Sequence, residues 1–167
     1  MTKNITTQKI AANGIIAAIY FVLTLLSYPI AFGEINFRIS EFLVLLCFWR
    51  PDFVIGITLG CFLSNTVSTL GPIDMLFGTL ATFFSCLFVA FSPKLLVATI
   101  FPIAINAFIV GFELNYVLGL PFWATAGYVA IGEGTVILVS YALWMILWRN
   151  KSFMAYLSPS RKEVPSW

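Results

Sequence analysis

From Ile10 to Trp148 the chain is a nearly unbroken series of apolar runs, parted only by short polar or proline-bearing breaks. Runs of about twenty apolar residues match the helix length that crosses roughly 30 Å of hydrocarbon. Inside lipid the backbone must satisfy its own polar groups, which helices do within a single segment. The expected fold class is therefore an all-α integral membrane protein. Hydrophobic residues make up 60% of the chain and charged residues 10%, against about half and a quarter in ordinary globular domains. We expect no soluble domain: residues 1–157 form one membrane domain, and 158–167, with two prolines and mixed charge, form a disordered polar tail.

Six helical segments are expected: Ile10 to Ser27, Ile39 to Trp49, Phe53 to Val67, Ile73 to Phe91, Leu95 to Val117 and Phe122 to Trp148. Lys3 and Lys9 ahead of the first run resemble the start of a signal peptide. The run is long enough to span, however, and more apolar segments follow, so it is read as a membrane helix. The second segment, closed by Arg50-Pro51-Asp52, covers roughly 16 Å as an α-helix and cannot span alone. A short segment with irregular flanks is tolerated where protein covers it or where it lines a wet cavity, which points to a cavity near residues 32–41.

Lys3, Lys9, Arg50, Lys94, Arg149, Lys151, Arg161 and Lys162 fall on one side of this topology and Arg38 alone on the other. Positive residues accumulate in cytoplasmic loops, so both termini are expected inside and the AFGEINFR loop outside, in the cell membrane. With the basic residues consumed in setting orientation, no nucleic-acid footprint is left.

Charged groups within membrane helices are costly and mark function by default. Arg38 and Glu41 begin the second segment at the outer face, Asn65 ends the third there, Asp74 begins the fourth and Glu113 nears the outer end of the fifth. Deeper, Glu133 between Gly132 and Gly134 and Asn106 on the fifth segment would form the floor, with Trp123, Phe32, Phe37 and Tyr128 as stacking walls. Structural roles compete with these. Arg38 and Glu41 are spaced to neutralise each other, Asp74 suits a helix start, and Glu113 lies near the interface. Glu133 has no basic residue at its depth. Trp144 and Trp148 read as interfacial anchors. Gly56, Gly60 and Ser64 give the third segment a small-residue stripe, and Gly14 and Ala18 give the first another.

No phosphate-binding loop is present, so the chain itself hydrolyses no ATP. Without histidine, and with Cys47, Cys61 and Cys86 scattered singly, neither a metal centre, a nucleophilic dyad nor a resident cofactor is expected. An enzyme is disfavoured.

The strings FGEINFRISEFLVLLCFWRPDFVIGITLGCFLSN, GPIDMLFGTLATFFS and FPIAINAFIVGFELNYVLGLPFWATAGYVAIGEG resemble the QueT family, the substrate-binding S components of energy-coupling factor (ECF) transporters assigned to queuosine precursors. The resemblance covers roughly Ile10 to Trp148. It implies a six-helix S component that captures 7-aminomethyl-7-deazaguanine outside and joins a transmembrane coupling protein and two ATPases. It also implies a small-residue docking motif on the first helix, matched here by Gly14 and Ala18 with Ala17 beside them. Such a ligand has a guanine-like donor edge and an aminomethyl cation, both suited to carboxylates. A stand-alone channel for small solutes and an accessory subunit without a ligand fit the same helices. The apolar inner halves of the helices favour capture over conduction.

Overall fold

A computed structural model describes residues 2–32 and 36–150, and every regular element among them is helical. In chain order these are α1 (Thr2–Leu26), α2 (Tyr28–Ala31), a 3-10 helix (Ile39–Phe48), α3 (Phe53–Asn65), α4 (Pro72–Phe91), α5 (Leu95–Ala98), α6 (Ile100–Leu118) and α7 (Phe122–Trp148). Four stretches are long and apolar enough to cross a membrane: Thr7–Leu26, Pro72–Phe91, Leu95–Leu118 and Phe122–Trp148. The six expected segments all appear as helix. The fifth is broken at Thr99, where Pro102 has no N–H to return to the Ala98 carbonyl. Residues 33–35 of the expected outer loop, the expected 158–167 tail, and Lys151, Arg161 and Lys162 lie outside the described residues.

Contacts between helices fix their directions. The Gly56 N–H donates to Asn13 Oδ1 at 2.7 Å, and Gly60 lies against Ala17 and Tyr20, so α1 and α3 run parallel. Asn65 reaches Asp74 and Cys61 reaches Thr82, so α4 runs back along α3. Phe77 meets Phe112 and Phe88 meets Phe101, while Gly111 abuts Ala126, so α6 and α7 continue the alternation. Lys9, Arg50, Lys94 and Arg149 therefore gather at one end of the bundle, with Arg38 toward the other.

The short second segment sits at the centre, packed by α1, α3, α4 and α7. As a 3-10 helix it rises about 2.0 Å per residue, so its ten residues reach further than an α-helix of the same length. Residues three apart eclipse in this geometry, which puts Arg38, Glu41, Val44 and Cys47 in one row, all buried. Three residues of 3-10 helix and four of α-helix both advance about 6 Å. The row therefore keeps step with Asp74, Gly78, Thr82 and Cys86 on the buried face of α4. Arg38 pairs with Asp74 at one end of this ladder, and Glu41 reaches Thr82 within it.

At the basic end Val44, Leu45, Phe48, Val89, Leu95 and Ile137 form a tight apolar core. Trp144, expected as an interfacial anchor, is buried there instead. Its indole N–H donates to the Phe42 carbonyl at 3.1 Å and its ring stacks on Phe42. A 3-10 helix leaves carbonyls poorly paired, and the indole satisfies one of them.

Candidate functional site

Arg38 organises the half of the interior away from the basic end. Its Nη2 donates to both oxygens of Asp74 at 3.2 Å, Nη1 to Asn65 Oδ1 at 2.9 Å and Nε to Asn36 Oδ1 at 3.0 Å. The Phe32 ring lies 4.8 Å from the guanidinium carbon, within cation–π range. Asn65 in turn donates to the Asp74 carbonyl. Gly78 makes this possible: a Cβ there would stand 2.5 Å from Asp74 Oδ1 and 2.8 Å from the Asn65 amide nitrogen. Asn36 holds a left-handed backbone (φ 51°), a conformation that asparagine tolerates.

Phe32, Asn36, Arg38, Asp74 and Glu113, closed by Leu70, Val110 and Leu114, line a narrow cavity in which about 10 Å³ is open to a water's centre. That is room for one water. Glu113 is wholly buried, and neither of its oxygens has a hydrogen-bond partner.

Deeper lies a second group. Glu41 Oε1 accepts from the Tyr20 hydroxyl and, at 3.2 Å, from the Thr82 hydroxyl, while its Oε2 accepts nothing. Glu133 is buried with Oε1 unpaired, and Asn106 is near enough to interact with it. Among the described residues the interior thus holds four buried carboxylates, Glu41, Asp74, Glu113 and Glu133, against the single guanidinium of Arg38. Burying a carboxylate without a partner is expensive, so these unpaired acceptors suit hydrogen-bond donors that enter from outside the chain.

The structure thus gathers Arg38, Asn65, Asp74 and Glu113 around the narrow cavity, with Glu41, Asn106 and Glu133 beneath. Trp123 is a correction. It is 76% exposed on the outer surface of α7, beside Phe108 and Phe122, and lines neither group. A helix that is apolar all round offers no contrast between its lipid face and its bundle face, so spacing alone misplaces it. Tyr128 is likewise half-exposed, and Phe37 lines a separate apolar groove of about 370 Å³ with Leu23, Ile39, Phe42 and Val139. The Arg38–Glu41 pair gives way, because Arg38 and Asp74 hold each other across two elements, while Asp74 does sit in the first turn of α4 as expected.

On α1, Gly14 and Ala18 face outward, and a Cβ on Gly14 would meet nothing within 4 Å. Ala17 is buried against Gly60 and belongs to the internal packing, which removes it from the docking set. The stripe on α3 is internal too. Tyr20, Thr82 and Asn36 were not anticipated as site residues. The first was detectable, since Asn13, Ala17, Tyr20 and Thr24 recur at helical spacing on one face of α1.

Long apolar helices enclosing a polar, charge-rich interior are the features of a multi-pass membrane protein. The chain belongs to the QueT family: the family model described as "QueT transporter" matches residues 10–149. It is 32% identical over 148 residues to the queuosine precursor transporter QueT of Lactococcus lactis subsp. cremoris (strain MG1363), covering 78% of this chain and 86% of that protein. No solved structure matches the chain. It is accordingly a transporter of the cell membrane and not an enzyme.

Proposed function

We propose that the chain is the substrate-capturing S component of an ECF transporter, crossing the membrane six times with both termini in the cytoplasm. It takes a 7-deazaguanine queuosine precursor, 7-aminomethyl-7-deazaguanine, from outside. The observation that carries this reading is the set of unpaired buried oxygens on Glu41, Glu113 and Glu133. A guanine-like edge offers adjacent N–H donors to one carboxylate, and the aminomethyl cation pairs with another. Asn65, Asp74 and Asn106 complete the polar lining, and Arg38 holds Asp74 in place. The cavity is too small for a bicyclic base, so capture requires the helices around Glu113 to part.

The apolar core beneath Glu133 supports capture over conduction, since among the described residues it holds no buried charge toward the basic end. Delivery then depends on a transmembrane coupling protein and two ATPase subunits that supply ATP hydrolysis. Gly14 and Ala18 present a bare strip on α1 on which another helix can pack closely. Titration calorimetry of the purified chain with 7-aminomethyl-7-deazaguanine tests the reading. Saturable one-to-one binding is expected, and the absence of binding in a folded preparation would refute it.

A further inference from the structure

Resting on the capture reading, we infer that Tyr20 and Thr82 are positioning residues that fix the Glu41 carboxylate so that its free oxygen meets the ligand. Both hydroxyls donate to the same oxygen, Oε1, from different helices, one on α1 and the other on α4. Two donors converging on Oε1 hold the carboxylate plane, and Oε2 is left without a partner although Glu41 is 1% exposed. Glu113 has no such support on either oxygen. Glu41 is therefore a carboxylate whose free acceptor has a defined place before the ligand arrives, held by two donors where Glu133 has the neighbouring Asn106.

The anchors are themselves fixed. Gly60 admits Tyr20 at close range, where a Cβ would come within 2.8 Å of the Tyr20 Cβ. One turn on, Thr24 Oγ1 lies 2.7 Å from Ser40 Oγ and 3.0 Å from the Tyr20 carbonyl, which ties α1 to the residue preceding Glu41. Thr82 carries one hydroxyl proton. With that proton given to Glu41, the Thr82 oxygen lies 3.1 Å from the Cys61 thiol, whose one proton can go to Thr82 or to the Gly78 carbonyl at 3.6 Å. An acceptor oriented in advance costs less ordering when the ligand binds, so losing either anchor reduces affinity through Glu41 and not through bulk packing.

The test is calorimetry with 7-aminomethyl-7-deazaguanine on the purified full chain carrying Tyr20→Phe, Thr82→Val, Thr82→Ser or Glu41→Leu, and on Tyr20→Phe combined with Glu41→Leu. Tyr20→Phe and Thr82→Val are each expected to weaken binding by roughly ten- to a hundredfold, the range for one hydrogen bond to a charged group. Thr82→Ser, which keeps the hydroxyl, is expected to bind like wild type. Tyr20→Phe is expected to add less than about twofold to the loss already caused by Glu41→Leu, the signature of two residues acting through one group. Equal losses in the wild-type and Glu41→Leu backgrounds would show a packing role and overturn the inference, as would wild-type binding by both Tyr20→Phe and Thr82→Val. Wild-type binding by Glu41→Leu would overturn the placement of Glu41 in the site, whereas a large loss there beside intact binding by Tyr20→Phe and Thr82→Val would overturn the positioning role alone.

Discussion

Arg38 and Asp74, 36 residues apart in the chain, form a buried ion pair in which one guanidinium nitrogen donates to both carboxylate oxygens at 3.2 Å. Removing one partner leaves the other charged and dry, at a cost of about 3–5 kcal/mol, while replacing both with apolar residues is often neutral. Arg38→Met is therefore expected to lower the thermal stability of the purified protein sharply, and Arg38→Met with Asp74→Leu to recover most of it. Melting curves of the two variants in the same detergent check this.

The glycines divide by what surrounds them. A Cβ on Gly60 would stand 2.8 Å from the Ala17 carbonyl oxygen, so α1 and α3 must separate, and Gly60→Ala is expected to destabilise by about 1–3 kcal/mol. Gly78→Ala is expected to lower both stability and ligand affinity, because the atoms it displaces are the Asp74 carboxylate and the Asn65 amide that hold Arg38. Gly14→Ala meets open space and is expected to be neutral or mildly stabilising. Parallel melting and binding measurements on the three variants separate these effects.

The segment boundaries were legible in the sequence because proline breaks and hydropathy are local signals: Arg50-Pro51-Asp52 closes the central helix where expected, and Pro72 opens α4. The shortness of the Ile39–Phe48 segment also pointed correctly to a sheltered position. The partner of Arg38 was not legible. Glu41 was the nearer acid, and the choice of Asp74 depends on a 3-10 row keeping step with an α-helical one, which hydrophobic pattern does not encode. Trp123 is misplaced for a related reason. In α7 the lipid-facing and bundle-facing sides are equally apolar, so depth can be read from the sequence and facing cannot, whereas on α1 the row of Asn13, Ala17, Tyr20 and Thr24 does carry the facing of Ala17.

Gly14 and Ala18 face away from the bundle while Ala17 faces into it, so substitutions there separate the proposed docking role from folding. Gly14→Trp and Ala18→Trp are expected to keep ligand affinity within about threefold, a difference below 1 kcal/mol, and to abolish ATP-dependent uptake in cells. Ala17→Trp is expected to destabilise the isolated protein. Uptake that survives both outward substitutions would remove the docking role.

Thr69, exposed in the turn between α3 and α4, and Lys94, exposed before α5, lie at opposite ends of the bundle. In a background lacking Cys47, Cys61 and Cys86, Thr69→Cys is expected to react with an impermeant thiol reagent in intact cells and Lys94→Cys to be protected. The reverse pattern would invert the orientation and place the site on the cytoplasmic side.

Glu133 tests the central claim most directly, because it is 1% exposed, has an unpaired oxygen and, among the described residues, forms no ion pair. The measurement is the affinity of purified Glu133→Gln for 7-aminomethyl-7-deazaguanine, taken alongside its melting temperature. Losing a charged acceptor for the ligand is expected to weaken binding by about ten- to a hundredfold, or roughly 1.5–3 kcal/mol, without loss of thermal stability. A folded Glu133→Gln protein that binds as tightly as wild type would contradict the account.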